Sequence, residues 1–273
     1  RSSDLVAIVG SGSVSAYDKA STVYMVGNSH IDAAWRWRTP SAVKACRNTF
    51  HTMLLLLERN PDYRFTQPSA LYYQWMQEYY PELFARIREK VKEGTWEIAG
   101  GQVIEPDFNL SSGESLVRQF LYGKRYFRAA FGVDVRTAFA PDAFGFPHSL
   151  PQILKRSGID QIVLQKLNWN DTNRFPHELF TWEGLDGSRV LAYKTRYDYQ
   201  ADIDEAKILH SLRQPHQLGQ KNSLYLYGVG DHGGGPTQRN IEEIRALDVR
   251  RRTPAVKMRR LDEYFAGLDP RAD

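Results

Sequence analysis

The chain has 273 residues, 42% hydrophobic and 12% aromatic, with 36 basic and 32 acidic side chains for a formal charge of +4. That length and apolar content suffice for a large α/β domain with a filled core, and no basic stripe interleaved with aromatics marks a nucleic-acid surface. No stretch approaches the roughly 18–20 apolar residues of a membrane helix, and the lone Cys46 excludes an internal disulfide and a cysteine-built metal site.

Residues 1–21 are rich in Ser and Gly and read as a linker or the remnant of a preceding domain. The run 22–27 then reads as a buried strand, broken by Gly27-Asn28-Ser29. His30 and Asp32 follow just past its C-terminal end, where α/β proteins collect their ligands. On an extended turn, residues two apart project to the same side. An imidazole and a carboxylate can therefore converge there as half of a zinc site, held by His and carboxylates only.

Pro40-Ser41 opens a helix whose apolar positions Val43, Phe50, Met53, Leu54 and Leu57 stop before Asn60-Pro61. A strand at 64–66, helices at 71–80 and 82–93, and a strand at 96–99 come next. A helix over 115–131, a strand over 137–140, a helix over 150–157 and a strand over 161–164 continue the alternation. The strands 179–182 and 190–193 resemble a hairpin insertion across the turn Gly184-Leu185-Asp186-Gly187. A helix near 203–213, a strand at 223–227, a helix over 237–247 and a last helix at 261–266 complete the pattern. Alternating strands and helices predict an α/β domain over 22–273, with a mainly parallel sheet and helical crossovers. The chain opens on Arg1 and closes on another helix, so we expect a fragment of a longer protein, truncated at its C-terminal end.

Three strand ends carry a carboxylate on a Gly- or Pro-punctuated turn: Asp32, Asp142 and Asp231. One such Asp is ordinarily a turn or cap residue, but parallel strands would bring all three to one rim, with His30 beside the first. Glycoside hydrolysis with metal help suits such a set. One carboxylate attacks the anomeric carbon and another protonates the leaving oxygen, ~5–5.5 Å away in a retaining enzyme. A metal ion would grip sugar hydroxyls. Trp35, Trp37 and Phe144 lie beside these turns and offer faces for a sugar ring or, equally, for the core.

The stretch His30-Ile31-Asp32-Ala33-Ala34-Trp35-Arg36-Trp37 resembles the zinc-binding motif of the glycoside hydrolase family 38 α-mannosidases, in their cytosolic, vacuolar and bacterial branch. Ordered blocks extend the likeness over roughly residues 22–268. They include Glu58-Arg59-Asn60-Pro61, Gly113-Glu114-Ser115-Leu116, Pro141-Asp142-Ala143-Phe144-Gly145-Phe146, Gln165-Lys166-Leu167-Asn168-Trp169-Asn170, Trp182-Glu183-Gly184-Leu185-Asp186-Gly187 and Gly228-Val229-Gly230-Asp231.

The resemblance implies a barrel-like domain of the glycoside hydrolase/deacetylase type. It implies a zinc-dependent retaining α-mannosidase acting on mannose-containing oligosaccharides or mannosides through a covalent mannosyl-enzyme. His30, Asp32 and Asp142 match zinc ligands, Asp142 is also the nucleophile, and Asp231 matches the acid/base. Trp35 and Phe144 match the walls of the mannose subsite, while Asp198 is a second choice for acid/base or a hydroxyl contact. The implied setting is cytoplasmic, with no nucleic-acid or membrane partner and with homo-oligomers allowed for the full-length protein. A zinc-dependent polysaccharide deacetylase and an inactive carbohydrate-binding fragment are the alternatives.

The chain also departs from the pattern. The fourth zinc ligand expected by resemblance is a His beyond residue 273, for which His232 is the nearest substitute, though a loop histidine or substrate contact suits it better. Gln102-Val103 stands where relatives tend to show Thr-Trp. Glu105 and Asp107 follow a strand end and are candidates for the same rim. His51, His148, His177, His210 and His216 read as structural or surface residues. Arg250-Arg251-Arg252 reads as a solvated face rather than a phosphate patch.

Overall fold

A computed structural model describes residues 5–8, 15–18, 21–251 and 254–269. It contains β1 (Leu5–Ile8), β2 (Ser15–Asp18), β3 (Thr22–Asn28), α1 (Thr39–Arg59), β4 (Phe65–Gln67), α2 (Ala70–Tyr79), α3 (Pro81–Lys92) and β5 (Trp96–Ile98). These are followed by α4 (Gly113–Phe131), β6 (Thr137–Ala140), α5 (Leu150–Arg156), β7 (Gln161–Leu164), a 3-10 turn at Lys166–Trp169, β8 (Leu179–Glu183) and β9 (Arg189–Lys194). Last come α6 (Glu205–His210), α7 (Arg213–Gln217), β10 (Asn222–Tyr227), α8 (Gln238–Arg251), β11 (Ala255–Met258) and α9 (Leu261–Ala266).

Two sheets form the wall. The first runs β10-β3-β4-β5, all parallel, with β11 against the first half of β3. The second runs β6-β7-β9-β8, parallel except for the antiparallel edge strand β8. One seam between them is stitched by Gly100 N–H to Thr137 O at 2.8 Å and by Gln102 Nε2 to Phe139 O at 2.8 Å. The other is bridged by the Tyr193 hydroxyl, which donates to Leu224 O at 3.1 Å. Inside the wall, Val26, Phe139, Val163, Tyr193, Leu224 and Leu226 meet Leu261, Tyr264 and Phe265 of α9. The α/β, mainly parallel architecture expected from the alternation is the one observed.

Outside the wall, α1 buries Ala42, Cys46, Phe50, Met53, Leu54 and Leu57, at three- and four-residue spacing. Each fully buried large apolar side chain of this kind contributes about 1.5–3 kcal/mol. Helix α4 starts at Ser112, whose hydroxyl accepts the Ser115 N–H, and ends at Gly132 in the left-handed region. Its Gly123 allows close approach, since a Cβ there would sit 2.4 Å from Gly101 O. That contact seats the chain leading from β5 to Glu105.

Some expectations shift. The helix near 203–213 is two short helices, α6 and α7, because the Ser211 hydroxyl bonds back to Ile208 O at the break. The predicted hairpin insertion is half wall, since β9 pairs in parallel with β7. Strand β11 had no expectation; its alternating burial is confined to four residues. Within 1–21, β1 and β2 pair antiparallel, Ser21 is buried, and the remaining positions lie outside the described residues. Arg250 ion-pairs with Glu205, whereas the Arg251 and Arg252 side chains lie outside them. Among the described residues, no helix is long and apolar enough to cross a membrane.

Candidate active site

Parallel pairing places the C-terminal ends of β3, β6, β7 and β10 on a common rim, and the predicted residues follow those ends directly. His30 is buried, and its Nε2 lies 3.2 Å from Asp32 Oδ1 and 3.4 Å from Asp142 Oδ2. One ligand atom from each of His30, Asp32 and Asp142 falls within 4.8 Å of the other two. Nitrogen plus two half-buried carboxylates is a donor set suited to Zn2+ or another borderline cation, so the residues present fit a metal ion.

Burial works to lower the His30 pKa, but the hydrogen bond to Asp32 and the charges of Glu105, Asp142 and Asp32 outweigh it and raise the pKa. Concentrated negative charge around one imidazole is what a cation would relieve.

Asp142 is held from three sides. Tyr199 donates its hydroxyl to Oδ1 at 3.0 Å, Lys166 Nζ lies 3.0 Å from the same oxygen, and Glu105 Oε1 accepts the Asp142 backbone N–H at 2.8 Å. Lys166 is itself buried, with Nζ 3.4 Å from the centroid of the Trp169 ring and 5.3 Å from that of Phe144. Burial pushes the Glu105 carboxyl up to about 7; His30 and the backbone N–H donors of Asp142 and Ala143 pull it down, while the Asp142 charge adds to the rise.

The turn after β10 docks onto the first motif. Gly233 N–H donates to His30 O at 2.7 Å, and the Asp32 N–H donates to His232 Nδ1 at 3.3 Å. The His232 ring stacks on Trp37 at 3.5 Å, so its Nδ1 is engaged in holding the backbone of Asp32. His232 is half-buried, braces the backbone of Asp32, and lies outside the three-residue cluster. Asp231 stands exposed on the crest of the same turn. Gly228 permits the docking, since a Cβ there would sit 2.5 Å from Asn28 O.

A cavity of about 370 Å³ opens over the cluster, lined among others by His30, Asp32, Tyr72, Glu105, Asp107, Asp142 and Phe144. Phe144, which lines it, meets Trp169 edge to face, and both are more than half exposed, as is Trp35. Trp35 packs edge-on to Trp37 and under Arg36, outside the cavity lining. Asp198 is half buried with one carboxylate oxygen, Oδ1, buried and without a hydrogen-bond partner, next to Tyr199. Gln102 is buried in the seam and does not line the cavity.

Sequence reasoning assigned no role to Lys166 or Tyr199. Lys166 had a usable signal, because it follows the β7 strand end just as Asp142 follows β6. Tyr199 lies in an irregular segment after β9, where neither period marks which side chain turns inward.

The family model for the "Glycosyl hydrolases family 38 N-terminal domain" matches residues 20–272. Alpha-mannosidase G of Dictyostelium discoideum is 42% identical over 252 residues, covering 91% of this chain and 23% of that protein. Alpha-mannosidase 2C1 of Homo sapiens is 38% identical over 252 residues, covering 91% of this chain and 24% of that protein. This chain thus spans about a quarter of the length of these curated relatives. Among solved structures, an alpha-mannosidase from Enterococcus faecalis superposes with a TM-score of 0.75 at 20% identity, over 93% of this chain and 30% of that one. At that identity the likeness speaks for the fold.

Proposed function

Because this chain belongs to glycosyl hydrolase family 38, we propose that it is the catalytic part of a zinc-dependent, retaining α-mannosidase that removes terminal α-mannosyl residues from oligosaccharides or mannosides. The observation that carries this reading is the convergence of His30, Asp32 and Asp142 beneath an open cavity at the strand ends. The same three residues would hold the ion, which when bound supplies Lewis-acid polarisation of sugar hydroxyls.

Asp142 is the nucleophile in this reading. Its carboxylate attacks the anomeric carbon as the bond to the leaving oxygen breaks, giving a mannosyl ester on the enzyme. Lys166 and Tyr199 hold and aim the Asp142 carboxylate through their contacts with Oδ1. Asp231 gives its proton to the leaving oxygen, then takes one from the water that cleaves the ester. Its exposure at the crest of the docked turn suits a group that exchanges protons with solvent. Phe144 and Trp35, both exposed, supply faces for the sugar in this reading, and Asp198 is its candidate for a contact with a sugar hydroxyl. The single buried Cys46 accords with a cytoplasmic setting for the enzyme.

The decisive test is trapping. A 2-fluorinated mannosyl substrate with a good leaving group should add one fluoromannosyl mass to the protein, on the peptide containing Asp142. Turnover of that substrate without any adduct, or an adduct elsewhere, would sink the retaining assignment.

A further inference from the structure

The 3-10 turn at Lys166–Trp169 leaves the end of β7, beside the β6 end that carries Asp142. It bears two unlike side chains. Lys166 is buried and reaches Asp142 Oδ1 at 3.0 Å, whereas Trp169 is 61% exposed. The lysine joins them, since its Nζ also lies 3.4 Å from the centroid of the indole ring. Trp169 thus stands one side chain away from the proposed nucleophile, on the Oδ1 side, while His30 faces Oδ2.

This exposed ring is firmly mounted. Asn168 pins the turn to the wall, its Nδ2 donating to Thr195 O at 2.8 Å and its Oδ1 accepting from Lys194 Nζ at 2.8 Å. Leu167 packs against the core. Phe144 meets the indole edge to face, with centroids 5.7 Å apart, and is itself 68% exposed. Covering Lys166 needs only one face of the indole. Two adjoining open rings that continue a cavity wall mark a surface for a ligand.

In the mannosidase reading, the terminal mannosyl ring lies in the cavity over His30, Asp32 and Asp142. An enzyme that removes terminal residues has only the leaving group beyond that ring. Trp169 lies outside the cavity lining, beyond Phe144, so the leaving group is what it can meet. Resting on that reading, we infer that Trp169 is a specificity-determining residue, the platform for an aglycone that is itself a pyranose. The C–H edges of such a ring complement the negative face of the indole. The favoured substrates are therefore α-mannosyl saccharides rather than mannosides of small alcohols, and the remote contact lowers the barrier to releasing the aglycone.

Trp169→Ala tests this with two substrates that share one glycone. The α-linked mannobiose that the wild type cleaves fastest has a pyranose as its leaving group, and α-mannosyl fluoride has a single atom. A disturbance passed through Lys166 to Asp142 lowers both rates and drops out of the ratio of their kcat/KM values. That ratio, mannobiose over fluoride, should fall about 10- to 100-fold, the range for uncovering one large apolar side chain. A ratio within threefold of wild type would overturn the inference and leave Trp169 as a cover for Lys166. Trp169→Phe keeps a smaller face over the lysine, so its ratio should fall about three- to tenfold. It carries the test if the Ala variant does not fold, and an unaltered ratio there overturns the inference equally. So does a wild type that cleaves the fluoride but no mannobiose. A wild type inert towards both would instead sink the mannosidase reading, and the role of Trp169 with it.

Discussion

Lys166 Nζ lies 3.0 Å from Asp142 Oδ1, while the other oxygen of Asp142, Oδ2, lies 3.4 Å from His30 Nε2. The carboxylate is thus divided between a fixed cation on one side and the candidate ion position on the other. Because Lys166 is 6% exposed, little water screens its charge.

Lys166→Met should therefore keep the packing against Trp169 and lose the charge. We expect turnover of an aryl α-mannoside to fall roughly 100-fold, the scale of one placed electrostatic contact. Steady-state kcat with the far-ultraviolet spectrum as a folding check measures it. An unaltered kcat would show that the Tyr199 hydroxyl suffices to hold Asp142.

Asp231→Ala separates proton donation from attack. Hydrolysis of mannosides with poor leaving groups should drop by about 10²–10⁴-fold, whereas activated aryl mannosides should lose far less in glycosylation. Added azide should rescue the second step as a nucleophile that needs no base. If an unactivated disaccharide were cleaved at the wild-type rate, Asp231 would not be the acid.

Chelator treatment should abolish activity, and Zn2+ or Co2+ should restore it to the wild type. His30→Ala and Asp32→Ala should each weaken the metal strongly and leave no activity at stoichiometric ion. Metal content after gel filtration provides the measurement; full activity in the metal-free chain would contradict the proposal.

Glu97 makes a prediction about stability rather than catalysis. Burial, with the nearby charge of Asp262, pushes its carboxyl up to about 7, against the hydrogen bonds from Thr66 and the N–H groups of Leu261 and Asp262. The folded state thus holds this proton more tightly than the unfolded chain does. Its favourable contribution is complete below the unfolded pKa of about 4.5 and is lost as pH rises towards 7. The loss is on the order of 3 kcal/mol at one pKa unit per 1.36 kcal/mol. Urea unfolding of wild type and Glu97→Gln at pH 4.5 and 7.5 tests it. The wild type should lose more stability across that interval, and equal losses would disprove the assignment.

Much of the site was legible because strand ends announce themselves locally. A short buried run broken by Gly27-Asn28-Ser29, or closed by Pro141, marks where the chain leaves the sheet, and His30, Asp32 and Asp142 follow at once. The alternation of strands and helices determined the mainly parallel sheet, and parallel pairing then determined that these ends share a rim.

Only the tertiary structure decided which side chains meet. Lys166 reaches Asp142 from the next strand end, Tyr199 arrives from an irregular loop, and His232 meets the backbone of Asp32 from nearly the other end of the chain. Periodicity reports how a residue faces its own helix or strand, within a few positions. The approach of two strand ends depends on register, on the two sheet seams, and on small residues such as Gly123 and Gly228 that let backbones come close. The linear chain therefore determined the His30-Asp32 motif and its rim. That Glu105, Lys166 and Tyr199 meet at Asp142 was decided by closure of the fold, because their contacts join segments with no local signal in common.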